Sequence, residues 1–455
     1  MKGEKRILII AYHFPPSSAV GGLRSSGYAR YLPDYGWNPY VLTINKKYLQ
    51  NPDAERLKGL EHVPIFRTRM FPSFPDNYVK LKAFLFSLVK REKILVEDLQ
   101  REYAANEPNV ESDYKKIGMR FKRFIFSLLV LPDGENGWII PGLVGALRVI
   151  RKNRINVILT SGPPHSAHII GLIAKRLTRV SWVADFRDPW AAQLHNRIYT
   201  ISPLAIKLHH LLEKQVVDHA DAVVTTTGML ADLFKDVYSL SSNKKIQFIP
   251  NGYDPEKIPA DDETEKYTKF TIAYTGVLYM GRSPEPIFAA LKQLMDEGHI
   301  SPDKINLKLV GQCETIQGKS TSEVISQYGL EDVVELTGQV THNEALKIIK
   351  KSHLALLLAP DQKLQVPAKV YDYIGCGTEV LAIAEDSATS RLVKSAHAGM
   401  VFDADDIDGI KEFIYQSLKN KNLVRLKENK PETNFSRKNL TGTLSEILNG
   451  IAEGK

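Results

Sequence analysis

LALLLAPDQKLQVPAKVYDYIGCGTEVLAIA, residues Leu354–Ala384, holds the pattern that decides the fold. It opens on Leu354–Leu358, an apolar run with no polar alternation. A strand of that kind is buried on both faces, as in a parallel sheet covered by helices. Pro367 then fits the first turn of a helix, where its missing N–H is no loss. Gly375-Cys376-Gly377-Thr378 closes that helix, and Val380–Ala384 reads as the next strand. Strand, helix and strand make one βαβ unit.

The same rhythm runs outward through the chain. Candidate strands are Arg6–Ala11, Pro39–Ile44, Asn156–Ser161, Ser181–Phe186, Ala222–Thr226, Ile246–Ile249, Thr271–Thr275, Asn306–Val310 and Val333–Leu336. Helical segments separate them, so the fold class is α/β with two Rossmann-like doubly wound domains. The length requires two: 455 residues exceed the roughly 250–300 at which a single core stops growing. Pro250-Asn251-Gly252-Tyr253-Asp254-Pro255 and the polar run Asp261–Lys269 mark the boundary. The expected division is 1–250, 251–430 and a C-terminal helix in 431–455 that packs back across a domain through Leu440, Leu444, Ile447 and Leu448.

Apolar residues at 43% and charged residues at 25% exclude a disordered chain. Two cysteines, Cys313 and Cys376, allow no disulfide framework and suit a reducing compartment, hence a cytoplasmic location. The net charge of +8 is a mild bias that suits a phosphate-bearing ligand or an anionic membrane surface. It is modest for nucleic acid, and no stacked aromatic platform accompanies it. No apolar stretch is long enough to span a bilayer. Lysines followed by Ile7-Leu8-Ile9-Ile10 superficially resemble a signal peptide, but His13-Phe14-Pro15-Pro16 stands where small residues should be. The stretch reads as a buried first strand.

Between about 70 and 135 the α/β rhythm stops. Tyr78–Lys93 and Lys115–Arg123 are basic and amphipathic, and the second, free of acids, runs into Phe124–Leu131. Ile117, Phe121, Phe124, Ile125 and Leu128 share one helical face. Two readings stand: insertion helices with a solvated basic face, or an interfacial pair within residues 78–131 on an anionic membrane surface.

Five loops at strand ends can carry chemistry, because open α/β sheets bind ligands at the C-terminal edge of their strands. Gly21-Gly22, after the first strand, lets a backbone approach a ligand closely, and the helix behind it favours phosphate. It lacks the Gly-x-Gly-x-x-Gly spacing, and no acid ends the second strand, which disfavours a nicotinamide site. Ser161-Gly162-Pro163-Pro164-His165 offers His165 as an acid, base or donor. Asp185-Phe186-Arg187-Asp188 sets two carboxylates around one guanidinium. Gly276 to Arg282 combines glycines with a guanidinium suited to phosphate oxygens. At Pro367–Tyr373, free helix amides would meet a diphosphate, and Asp372 lies on a plausible face for ribose hydroxyls.

At these residues the chain resembles the GT-B-fold glycosyltransferases of group 1, the retaining, glycosyltransferase 4-like kind. "VPAKVYDYIGCGTEVLA" carries the most specific likeness. "SGPPHSAH" with "VADFRDPW" resembles a bacterial subgroup associated with surface-polysaccharide assembly. The resemblance implies two Rossmann-like domains facing across a cleft, with donor on the C-terminal domain and acceptor on the N-terminal one. It implies no cofactor and no metal, the nucleoside-diphosphate sugar being a substrate. In those terms Gly21, Gly22, Arg282 and Lys369 would hold the donor diphosphate, Asp372 the ribose, and Arg187, Asp188 and His165 would serve catalysis. Three positions depart from the family's pattern. Leu364 stands for the first acid of a Glu-x7-Glu pair, Val277 for an Arg and Arg187 for a His.

The expected reaction is sugar transfer from a nucleoside-diphosphate sugar to an acceptor hydroxyl, in cell-surface polysaccharide or glycolipid biosynthesis. The acceptor would be a saccharide or a lipid-linked one, reached from the inner face of the plasma membrane. The rivals are a nucleotide-sugar 2-epimerase, for which no acid/base carboxylates can be placed, and a non-catalytic sugar-nucleotide-binding or membrane-scaffold protein, favoured by Leu364.

Overall fold

The computed structural model describes residues 4–49, 51–72, 124, 127–191, 202–238, 245–260, 265–279, 281–420 and 433–453. Contacts divide the chain into two units. One holds Met1–Thr225, Ala231–Phe248 and Gly442–Lys455; the other holds Thr226–Leu230 and Ile249–Thr441. The turn at Pro250-Asn251-Gly252 therefore directly follows the change of unit.

The first unit is a parallel sheet of seven strands: β1 (Lys5–Ala11), β2 (Trp37–Ile44), β3 (Ile65–Thr68), β4 (Val157–Gly162), β5 (Ser181–Phe186), β6 (Ala222–Thr225) and β7 (Lys245–Phe248). Its order is β3-β2-β1-β4-β5-β6-β7. Helices α1 (Gly22–Tyr31), α2 (Ile139–Lys152), α3 (Ser166–Thr178), α4 (Pro203–His219) and α5 (Gly228–Tyr238) alternate with these strands. Ile7 to Ile10 have no exposed surface, so the first apolar run is a central strand. The order reverses between β1 and β4, and that reversal opens a crevice at their C-terminal ends.

The second unit repeats the plan with six main strands: β8 (Phe270–Val277), β9 (Ile305–Gln312), β12 (Val334–Gly338), β13 (Leu354–Leu358), β14 (Glu379–Ile383) and β15 (Gly399–Phe402). The pair β10 (Thr315–Ile316) and β11 (Lys319–Ser320) stands apart from the sheet. Its helices are α6 (Glu285–Asp296), α7 (Thr321–Tyr328), α8 (His342–Lys351), α9 (Ala368–Gly375), α10 (Ala388–Ser395) and α11 (Ile407–Lys419). The order β12-β9-β8-β13-β14-β15 reverses between β8 and β13. Strand alternation explains the apolar run at β13. Leu354, Leu356 and Leu358 pack with Leu291, Ile410 and Ile414 on one face. Ala355 and Leu357 pack with Ile349, Val370 and Ile374 on the other.

Helix α12 (Arg437–Glu453) closes the described chain. From Gly442 it belongs to the first unit, where Asn449 Oδ1 accepts from Lys5 Nζ at 2.6 Å and from Trp37 Nε1 at 3.2 Å. Strands β3 and β15 were not expected from the sequence. Both lie at sheet edges, and β3 is only half-buried, so neither carries the apolar run of a central strand. The basic stretches Tyr78–Lys93 and Lys115–Arg123 lie outside the described residues. Among the described residues no helix is long and apolar enough to cross a membrane.

Candidate active site

The C-terminal ends of β8 and β13 gather the charges expected of an anion site. Gly276, near the end of β8, has φ +133°, a region that favours glycine. A Cβ there would lie 2.5 Å from Lys369 Nζ, so this glycine leaves room for the ammonium. Lys369 comes from the first turn of α9, and its Nζ sits 4.0 Å from the Tyr274 ring centroid. That nitrogen is buried and has no hydrogen-bond partner among the described residues. Burial, and then the nearby Arg282 charge, push its pKa down to about 7. Arg282 itself stacks 4.5 Å over Tyr279, on a turn closed by its own amide to Tyr279 O at 3.1 Å.

Pro367 precedes α9, and the Val370 amide is the first to reach back, to Pro367 O at 3.2 Å. The opening amides of α9 thus remain the positive end of the helix. Two cations and a helix N-terminus converge with no carboxylate paired to either cation among the described residues. The arrangement suits a diphosphate.

Asp372, one turn further along α9, faces other groups. Its Oδ2 lies 4.0 Å from His342 Nε2. Burial raises its pKa; His342, Arg437 and Lys257 oppose the rise and Asp254 adds to it. Asp372 therefore belongs to a charged cluster beside the Asn251–Asp254 turn, distinct from the Lys369–Arg282 pair. Leu364 is half-buried, and its carbonyl accepts from Thr227 Oγ1 at 2.9 Å. Val277 is half-exposed at the mouth of β8.

In the first unit Gly21 and Gly22 lie in the turn that leads into α1. The amides of Gly22 and Leu23 bond to Ala19 O and Val20 O at 3.1 and 3.0 Å, so a turn already uses two amides expected to cradle phosphate. What Gly21 admits is the Arg187 guanidinium, which a Cβ would overlap. Gly22 packs on the His13–Phe14 backbone, 3.3 Å from His13 O to a built Cβ. Arg187 also donates from Nη2 to Pro163 O and from its backbone N to Gly162 O at 2.8 Å. Its burial lowers its pKa, while Asp188 and then Asp185 favour its charge.

Both carboxylates favour the Arg187 charge, but the hydrogen bonds of Asp185 go elsewhere. Asp185 is bound by Arg24, whose Nε lies 3.1 Å from each oxygen and whose Nη2 lies 2.9 Å from Oδ1. Ser161 Oγ adds a fourth bond at 2.9 Å. Asp188 remains beside Arg187. His165 is buried, its ring parallel to Trp190 at 4.6 Å. His13, at the end of β1, is held neutral: burial and the Arg187 charge lower its pKa to about 4.

The sequence reading missed a pair of acids at this same edge. Asp133 caps α3, accepting from Ser166 N at 2.7 Å and Ser166 Oγ at 2.6 Å. It also accepts from Glu135 N at 3.1 Å. The Glu135 carboxyl is half-buried and accepts a hydrogen bond from its own backbone amide. Burial, then Asp133, raise its pKa to about 7; burial, then Glu135 and Asp133, raise that of Tyr12, which follows β1. The signal was the Pro132-Asp133-Gly134-Glu135 turn, hidden inside the irregular insertion. Among the described residues no group of three His, Cys, Asp or Glu residues is placed to hold a metal ion.

Residues 127–252 match the family described as Glycosyl transferase 4-like domain, and residues 256–433 match Glycosyl transferases group 1. No curated protein sequence is significantly similar. Among solved structures, the chain is similar to sucrose-phosphate synthase from Thermosynechococcus elongatus, at 13% identity and TM-score 0.60 over 99% of this chain and 100% of that one. It is similar to Anabaena Alr3699/HepE in complex with UDP-glucose, at 14% identity and TM-score 0.58 over 98% and 99%. It is also similar to WaaG, a glycosyltransferase involved in lipopolysaccharide biosynthesis, at 11% identity and TM-score 0.55 over 98% and 100%. These identities speak for the GT-B fold.

Proposed function

The chain belongs to the group 1 glycosyltransferases, and we propose that its second unit holds a nucleoside-diphosphate sugar whose sugar passes to a hydroxyl of a saccharide or lipid-linked acceptor. The observation that carries this reading is the buried, unpartnered Lys369 ammonium at Gly276, next to Arg282 and the start of α9. A buried cation without a partner is costly, and a bound diphosphate would remove that cost. The difficult event in transfer is departure of the diphosphate. Groups aimed at its developing charge lower the barrier most. Lys369 and Arg282 would supply that charge, and the α9 amides would fix the phosphate oxygens. Asp372 would accept from the ribose hydroxyls, and Arg187 would meet an anionic group at the first unit's edge.

The UDP-glucose bound to HepE favours a uridine nucleotide, and WaaG favours an acceptor in surface-glycan assembly. No cofactor beyond the donor enters this scheme. The basic run Lys115–Arg123 would bring the enzyme to an anionic membrane surface at its cytoplasmic face. Thermal-shift screening with UDP, GDP and ADP, followed by nucleoside-diphosphate release from their sugars, tests the donor reading. A ligand at 100 times its Kd stabilises by about 2.7 kcal/mol. If none of the nucleotides raises the melting temperature and none of their sugars is cleaved, the reading fails.

A further inference from the structure

We propose that Glu213 is the latch that positions the loop after β5, Arg187 to Ala191, and that ionisation of its carboxyl loosens that loop. The inference concerns the first unit alone and does not rest on the transferase reading.

The sequence puts Glu213 where an acid is costly. On α4, His209, Glu213, Val216 and Val217 are buried, a spacing that makes one helical face. Glu213 is 1% exposed. Its Oε2 accepts from Tyr238 Oη, at the end of α5, and from Ala191 N at 3.3 Å. The Trp190 amide donates to the same carboxyl. Oε1 is buried and has no hydrogen-bond partner among the described residues. Two successive amides of the loop are therefore fastened to one carboxyl that α4 and α5 hold in place. A second fastening runs through the Trp190 side chain. Its Nε1 donates to His209 Nδ1 at 2.9 Å, and its ring stacks on His165 at 4.6 Å. All these residues belong to the first unit.

The loop begins with Arg187 and Asp188. Arg187 N donates to Gly162 O at 2.8 Å, and its guanidinium fills the space that Gly21 leaves. Arg187 is only a few residues from the Ala191 amide, so the grip on Trp190 and Ala191 limits where that guanidinium can go.

The charge on Glu213 decides how well the latch holds. Burial raises its pKa to about 7, and the bonds from Tyr238, Ala191 and Trp190 oppose the rise. Among the described residues no Lys or Arg acts on it. The other titratable groups nearby are engaged. His209 on α4 meets Trp190, and Lys214 pairs with Asp218, whose charge acts on Tyr238. Arg176 of α3 meets Gln215 and His219. Arg187 and Asp188 lie on the loop itself, and His165 stands against Trp190. When the loop opens and water reaches the carboxyl, its pKa returns toward the ordinary 4.5. Between about pH 4.5 and 7 the closed loop then holds a proton that the open loop sheds. Raising the pH through that window favours opening, and the effect levels off once the closed form is ionised too. From pH 6 to pH 8 the opening constant should rise about tenfold.

Hydrogen exchange of the full chain, read by mass spectrometry on peptides containing Trp190 and Ala191, measures that opening once intrinsic exchange rates are divided out. The wild type should show the tenfold rise between pH 6 and 8, and the β1 amides should not. Glu213→Gln keeps an acceptor oxygen for Tyr238 and the loop amides but carries no charge, so the rise should vanish. Tyr238→Phe removes a bond that lowers the Glu213 pKa, so the rise should extend to higher pH; this variant decides the matter if the Gln protein does not fold. A wild-type opening constant that ignores pH overturns the proposal. So does the same rise in Glu213→Gln, an unmoved rise in Tyr238→Phe, or an equal rise in the β1 amides, which would report global unfolding.

Discussion

Lys369→Met separates binding from stability at one atom. In the free protein the ammonium is buried without a partner and its pKa is pushed to about 7 from 10.5. At pH 8 only about a tenth of it is then charged. A bound diphosphate would favour the charged form and return the pKa upward. Binding at pH 8 should therefore take up about 0.9 proton per nucleotide, and binding at pH 6 close to none. Isothermal titration with UDP in two buffers of different ionisation enthalpy reads that uptake directly. Lys369→Met should abolish it and weaken binding by about 1.5–3 kcal/mol, the contribution of a charge-assisted bond. Arg282→Ala removes a repulsive neighbour, so Lys369 should hold its proton more firmly and the uptake at pH 8 should shrink.

Stability should move the opposite way. The folded pKa lies below the unfolded one, so the unfolded chain binds more protons between about pH 7 and 10.5. Unfolding free energy should rise with pH across that window, and the full cost is present below it. Methionine removes a cost on the order of a few kcal/mol, so Lys369→Met should be the more stable protein at pH 7. Two outcomes would refute this reasoning: binding enthalpies at pH 8 that do not depend on the buffer, or a methionine variant with wild-type affinity.

Asp372→Asn should weaken nucleotide binding by about 1.5–3 kcal/mol with little change in melting temperature, measured by calorimetry; unchanged affinity would assign the residue to the His342 and Asp254 cluster alone. Asp185→Asn removes the carboxylate charge that faces buried Arg24 and should lower unfolding free energy in urea by about 3–5 kcal/mol. A double change of Arg24 and Asp185 to leucine should cost much less. Wild type should pellet with anionic but not neutral vesicles at low salt, each basic residue contributing on the order of 1 kcal/mol. A variant with Lys115, Lys116, Arg120, Lys122 and Arg123 changed to Gln should stay in solution, and wild type ignoring anionic vesicles would end the membrane reading.

What the sequence made legible follows the range of the forces involved. Leu354–Leu358, Pro367 and Gly375–Thr378 act over a few residues, through strand alternation and helix termini, so β13, α9 and β14 could be read within a residue or so. Edge strands β3 and β15 meet the sheet on one side only and carry no comparable run. The Lys369–Arg282 pairing was half legible. Each residue stood at a strand end where ligands bind, but only the fold shows that Gly276 is glycine to admit Lys369. Charge partners were the least legible part. Asp185 reads as a neighbour of Arg187 along the chain, yet its partner is Arg24, 161 residues away. The Asp133–Glu135 turn is irregular, and only the fold brings Tyr12 from β1 near its acids and Ser166 of α3 onto Asp133. A carboxylate's role depends on which cations the fold brings near it or keeps away. Local pattern therefore locates the strand edge where ligands bind in such sheets, and the tertiary fold decides which charges meet there.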